Sequence, residues 1–181
     1  DFDFSGKENA LAQIGAHYYN NNFSSNKYHL ANGLASVFNF ENGSFKSAFN
    51  SPNKPSRSAV MSVHPAKISA DGKNHLNLYT NNGKLSPKLN NKFNLINTMS
   101  HERTHFIQGG GANTINELEA YFVQTQHWSW SKATKGHQTL IRSNYSDYLN
   151  NLKYNATIDP TIKSADKSYY LNQYNHYNNL F

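Results

Sequence analysis

In the stretch "SHERTHFIQGGGANTINELEAY", His101 and His105 stand four residues apart and Glu102 follows the first of them. On a helix, positions i and i+4 lie one turn apart on the same face, so two imidazole nitrogens can meet a single ion. Zinc takes histidine nitrogen at about 2.0–2.1 Å and lowers the pKa of a bound water to roughly 7. Glu102 points beside such a metal rather than at it. There it can take the water's proton and pass it to a leaving amine. The spacing points to metal-assisted hydrolysis.

Two histidines do not complete a zinc site. The chain has five glutamates, and three of them, Glu102, Glu117 and Glu119, fall in this one stretch. A carboxylate a dozen residues past His105, on a second helix reached through a glycine turn, meets the need for a third ligand. Three protein ligands without a fourth leave an open position, as catalytic zinc requires. Glu117 and Glu119 are two apart and face about 200° away from each other on a helix, so only one can point at the metal. Glu117 shares its face with Tyr121, Gln124 and Trp128, a polar and aromatic set suited to lining a cleft. Glu119 shares its face with Val123 and Gln126. The comparison favours Glu117.

With these residues the chain resembles the zincin metallopeptidases. In the metzincin branch the motif continues as x-x-Gly-x-x-His, but here Gln108 and Gly111 hold those two positions. The Gly-Thr-x-Asp motif of the aspartate-liganded branch is missing as well. The remaining likeness is to gluzincins, in which a glutamate on the following helix is the third ligand. That helix carries Asn-Glu-x-x-Ser-Asp in thermolysin-like enzymes and Glu-x-x-Ala in several small zincins. "NELEAY" runs in register with both, as Asn116, Glu117, Ala120 and Tyr121. The resemblance implies Zn2+ held by His101, His105 and Glu117, and peptide bonds cleaved by a zinc-bound water that Glu102 activates. An endopeptidase acting on protein or peptide substrates is expected. Tyr121 departs from the pattern, since it stands where an aspartate would partner the first histidine. The likeness covers Leu89 to Trp130, with "HLNLYT" as the preceding edge strand.

A Cys-free domain of this kind that begins mid-chain also resembles the C-terminal cargo of bacterial polymorphic toxins and secretion-system effectors. That implies a secreted or translocated bacterial protein with a cognate immunity or inhibitor protein. Because the chain starts at Asp1, it reads as a piece of something longer. The rival class is a catalytically inactive zinc-binding module that keeps the fold for recognition.

Other residues invite roles. His127 could stabilise an oxyanion, and Tyr121 could serve there or behind the ligands. Tyr169, Tyr170, Tyr174, His176 and Tyr177 could supply the tyrosine that many zincins set against the tetrahedral intermediate. Tyr170, Tyr174, Tyr177 and Phe181 recur at helical spacing, however, so packing is the default for them. Trp128 and Trp130 read as structural.

Composition sets the outer limits. A length of 181 residues suits one domain with a real core, to which 12 Tyr and 11 Phe contribute large buried areas. The net charge of +6 reflects only 11 acidic residues, and the 17 basic ones are scattered. No basic stripe marks a nucleic-acid partner. Nothing approaches 18 consecutive apolar residues, so no membrane span is expected. With no Cys, disulfides and thiolate metal sites are excluded. The 28 Asn read as AT-rich codon bias.

The elements that must carry the site follow from pattern. Residues 1–7 read as a linker or an incoming strand. "ENALAQIGAHYYN" and "YHLANGLASVF" read as helices. Between Glu41 and Thr80, "SFKSAF", "SAVMSV", "AKIS" and "HLNLYT" read as short strands, with a hairpin turn at Asp71–Asn74. "SPNKPSRS" is a loop. "LNNKFNLINTMSHERTHFIQ" is one long helix with Phe93, Ile96, Ser100 and Ile107 on its buried side. Gly109–Gly111 end it, and at least one of them should adopt φ > 0. The glutamate helix starts near Asn113 or Thr114, and two more follow around "HQTLIRSNYSDYLNNL" and "KSYYLNQYNHYNNLF". The expected fold is α+β and zincin-like. A small, mostly antiparallel sheet from the 8–80 region joins an active-site helix, a glutamate helix and a helical C-terminal part within 89–181.

Overall fold

The computed structural model describes Tyr18 and residues 60–64, 75–78, 80–81, 84–109 and 113–180. The expected linker, both N-terminal helices apart from Tyr18, the "SFKSAF" and "AKIS" strands, the proline loop and the Asp71–Asn74 turn lie outside these. The described part is mostly helical. Four helices run in chain order: α1 (Lys92–Ile107), α2 (Thr114–Gln126), α3 (Lys135–Thr157) and α4 (Ser164–Asn178). Strand β1 (Met61–His64) pairs antiparallel with β2 (His75–Leu78), Met61 facing Leu78. A shorter pair joins β3 (Thr80–Asn81) to β4 (Lys84–Leu85). Where a single small sheet was expected, the described strands thus form two separate ladders.

Each helix packs on the next in sequence, and β1 lies against α1. Leu118 of α2, Tyr145 and Leu152 of α3 and Tyr177 of α4 form a buried cluster, flanked by Ile115, Phe122, Leu149 and Tyr174. Full burial of each such side chain is worth about 1.5–3 kcal/mol. Tyr170, Tyr174 and Tyr177 therefore take the packing role that their spacing suggested. Met99 of α1 and Leu76 and Leu78 of β2 are fully buried as well.

Polar side chains open three of the helices. Asn91 Oδ1 accepts from the Phe93 and Asn94 N–H groups at the head of α1. Asn113 accepts from Asn116 N (2.9 Å) at the head of α2, and Thr134 accepts from His137 N at the head of α3. Each satisfies a backbone donor that the helix itself leaves unpaired. Asn94 reaches across as well: its Oδ1 accepts from Thr134 N (2.9 Å) and its Nδ2 donates to Thr134 Oγ1 (3.1 Å). The cap of α3 is thereby tied to the first turn of the histidine helix.

Helix α1 is buried around most of its circumference, not along one side. Asn94 through Glu102, Thr104 and His105 are all buried. The hydroxyls of Thr98, Ser100 and Thr104 donate back to carbonyls of the preceding turn, which makes so polar a helix tolerable in the interior. One expectation is corrected here: Ile107 is 54% exposed. It sits on the last turn of α1, beyond the stretch that the neighbours enclose.

Behind α1 lies a polar network that the sequence did not suggest. Asn97 Nδ2 donates to Gln124 O (2.8 Å) and Ser129 Oγ (3.1 Å). With its amide nitrogen so committed, Asn97 Oδ1 accepts from His137 Nε2 at 3.0 Å. Burial holds His137 neutral, its pKa pushed down to about 4 from 6.5. Between those values the unfolded chain binds a proton that the folded chain does not, so stability falls as pH drops from 6.5 to 4. The loss should be on the order of 2–3 kcal/mol. Urea midpoints over this range should converge with those of His137→Gln, which has no such proton to bind. Parallel curves for the two proteins would mean that His137 does not carry the acid sensitivity.

Candidate metal centre

The helical spacing of α1 brings His101 and His105 ring to ring, their centroids 4.8 Å apart. Their Nε2 atoms lie 3.1 Å from each other. Glu117, in the first turn of α2, reaches between them: Oε2 is 3.4 Å from His101 Nε2, and Oε1 is 3.4 Å from His105 Nε2. Ligands at about 2.0–2.1 Å in a tetrahedron stand roughly 3.3 Å apart, so all three separations suit one shared ion. Both histidines are buried, and Glu117 is nearly so.

The donor chemistry fits as well. Two imidazole nitrogens and a carboxylate converge with their lone pairs, and only a proton or a cation between them relieves the arrangement. Burial, then the charge of His101, lowers the pKa of His105 and favours the neutral ring. Burial would raise that of Glu117, but the hydrogen bond from His101 and the charges of both histidines outweigh it and keep the carboxylate ionised. Neutral histidine and ionised carboxylate are the forms that bind metal.

Glu102 is buried next to this group. Burial pushes its carboxyl up to about 7, against the pull of His101 and with a further push from Glu117. A carboxylate poised there can both take and return a proton near neutral pH. Tyr121 lays its ring on His101, centroids 4.3 Å apart, and its hydroxyl accepts from Asn144 Nδ2 (3.1 Å). Burial, then Glu117, raises its pKa, so the phenol keeps its proton. His101 Nδ1 is buried with no hydrogen-bond partner among the described residues, so Tyr121 covers this histidine without bonding to it.

His127 belongs to a different place. It caps the C-terminal end of α2, ten residues and about 15 Å along the axis from Glu117. Ser129 Oγ donates to its Nδ1 at 2.8 Å. A second phenol within the field of Glu117, besides Tyr121, is that of Tyr148 on α3, whose pKa burial and that charge both raise. Its ring lies 5.9 Å from that of Tyr121. Sequence reading passed over Tyr148 and Asn144. Their i, i+4 spacing on α3 is visible in the chain, but it gains meaning only once α3 is seen to pack on α2.

A family profile described as metallopeptidase toxin 2 matches residues 2–180. The chain belongs to the metallopeptidase toxin 2 family. No curated protein and no solved structure matches it. Membership makes this chain a metallopeptidase by family, hence a hydrolase of peptide bonds with a metal-dependent mechanism, and suggests a secreted or effector protein. Among the described residues no helix is long and apolar enough to cross a membrane. They hold one group of three side chains whose donor atoms lie close enough to share a metal ion, His101, His105 and Glu117.

In this metallopeptidase toxin the segment that joins the two halves of the cluster leaves α1 at Gly109. Gly109 takes φ 76°, the left-handed region that a Cβ penalises. Gly110 and Gly111 lie outside the described residues. Gly109→Ala should cost about 1 kcal/mol or more. It should also weaken metal binding, because Gly109 opens the segment that leads from the histidines to Glu117. Thermal unfolding and chelator competition on the variant test both effects, and unchanged zinc affinity would show that the turn does not position the glutamate.

Proposed function

We propose that the protein is a zinc endopeptidase of the gluzincin type, with His101, His105 and Glu117 as zinc ligands and Glu102 as general base. The observation that carries this is the convergence of Nε2, Nε2 and a carboxylate at 3.1–3.4 Å beside a buried carboxyl raised to about 7. Zinc bound there would supply a Lewis acid and lower the pKa of its water. Glu102 then accepts the proton of the attacking water and delivers it to the departing amine nitrogen. Its enclosure keeps that proton from bulk solvent. The two histidines hold fixed orientations because α1 is enclosed, and Glu117 is fixed by the Asn113-capped start of α2. The protonated phenol of Tyr121 is a hydrogen-bond donor close to the ligands, suited to an oxyanion. His127, at the far end of α2, takes no part in this reading.

An α+β zincin frame and a single domain across 1–181 go with this assignment. So does delivery as a bacterial toxin or effector, with protein substrates in the target cell and a cognate immunity protein in the producer. The test is the set of fragments formed in a mixed lysate. Wild type should generate new protein termini that Glu102→Gln does not. Identical fragment patterns from the two would remove Glu102 from the mechanism.

A further inference from the structure

Glu119, the weaker candidate for the third ligand, turns away from the metal cluster but is still joined to it. Its Oε2 accepts from Gln108 Nε2 at 3.0 Å, and the same Nε2 donates to Asn116 O at 3.1 Å. Gln108 Oε1 lies 2.9 Å from His105 Nδ1. The amide orientation follows from its partners. A carboxylate and a backbone carbonyl only accept, so the amide nitrogen must face them and the amide oxygen must face the imidazole. His105 Nδ1 must then carry the proton and donate. Its Nε2 is left with a lone pair, and that atom points at His101 and Glu117.

We propose that Gln108 is a positioning residue that locks His105 in the Nδ1–H tautomer, with Glu119 and the Asn116 carbonyl holding Gln108 in place. The inference rests on the zinc-site reading above. The lock also spans the two ligand-bearing segments. Gln108 follows the last turn of α1, and both of its acceptors lie on the first two turns of α2, flanking Glu117. One side chain thus sets the tautomer of one ligand and the approach of the helix that carries another. His101 has no equivalent, since its Nδ1 has no hydrogen-bond partner among the described residues. The control acts on one histidine of the pair.

Loss of such an outer partner typically costs 10- to 100-fold in metal affinity. Zinc affinity of the full chain, measured by competition with a chromophoric chelator, should fall by that factor in Gln108→Leu, which keeps the bulk and removes the amide. Gln108→Glu alone should also bind weakly, because it sets a carboxylate against Glu119 and the Asn116 carbonyl. The double change Gln108→Glu with Glu119→Gln gives the new carboxylate a donor where Glu119 stood and should recover part of the lost affinity, although the Asn116 carbonyl still faces it. A purely structural role for Gln108 would not produce that rescue. If Gln108→Leu does not fold, the double variant and the wild type still decide. In 15N-histidine spectra of the zinc-free wild type, His105 should appear as the Nδ1–H form. An Nε2–H form, or Gln108→Leu affinity within two-fold of wild type, overturns the proposal while leaving the zinc site intact. Failure of the wild type to bind zinc overturns the underlying reading as well.

Discussion

Glu102→Gln should lower peptide hydrolysis by about 10²–10⁴-fold while zinc content and unfolding temperature stay at wild-type values. Gln matches Glu in shape, so the enclosure beside His101 is kept. What it lacks is the capacity to take a proton and return it. The burial that lifts the carboxyl to about 7 is costly for a charged group and serves no packing purpose that an amide would not serve better. Undiminished stability in the variant is therefore part of the expectation. Purified enzyme at matched zinc content, assayed on an unfolded protein substrate, gives the number. Hydrolysis within a few-fold of wild type would place the base elsewhere, and loss of zinc would make Glu102 a ligand.

Glu117→Ala should weaken zinc binding by at least about 100-fold, the larger of the two effects on metal. Zinc in a four-coordinate protein site is worth about 10–16 kcal/mol in all, so one ligand carries several. Glu119→Ala should weaken binding by at most the 10- to 100-fold of an outer-partner loss. The two glutamates are two positions apart on α2 and have nearly equal solution chemistry, which makes their comparison direct. Their roles differ because Glu117 faces both histidine Nε2 atoms at 3.4 Å, whereas Glu119 bonds to Gln108. A Glu119→Ala protein that lost zinc while Glu117→Ala retained it would exchange their assignments.

The four helices were legible because periodicity and end signals agree along them. The start of the glutamate helix near Asn113 or Thr114 agrees with the observed cap at Asn113, and a glycine at φ > 0 is expected among Gly109–Gly111, as Gly109 shows. The meeting of His101 and His105 follows from helical spacing alone, and the preference for Glu117 over Glu119 rests on the polar and aromatic residues that share its face. The polar interior was not legible. Asn97 and His137 are forty residues apart and join only through the packing of α3 onto α1, which no local pattern announces. The same holds for Tyr148 and Asn144. Ile107 misled because an apolar residue in register with the buried side is expected to be covered, whereas the cover ends a turn earlier. Gln108 was noticed only as the wrong residue for a metzincin glycine, yet its amide bridges the two ligand helices. Of the expected strands, "SAVMSV" and "HLNLYT" pair antiparallel as β1 and β2, while "SFKSAF" and "AKIS" lie outside the described residues; alternation marks strands but does not say which of them pair.

The most direct test of the zinc-peptidase reading is hydrolysis of a denatured protein mixture by the purified chain as zinc is removed and returned. Activity should vanish on chelation and recover fully at one equivalent of zinc per chain. Hydrolysis that survives complete removal of metal would contradict the account. So would a chain that binds one zinc through these three residues and cleaves nothing, for the site would then serve recognition instead of catalysis.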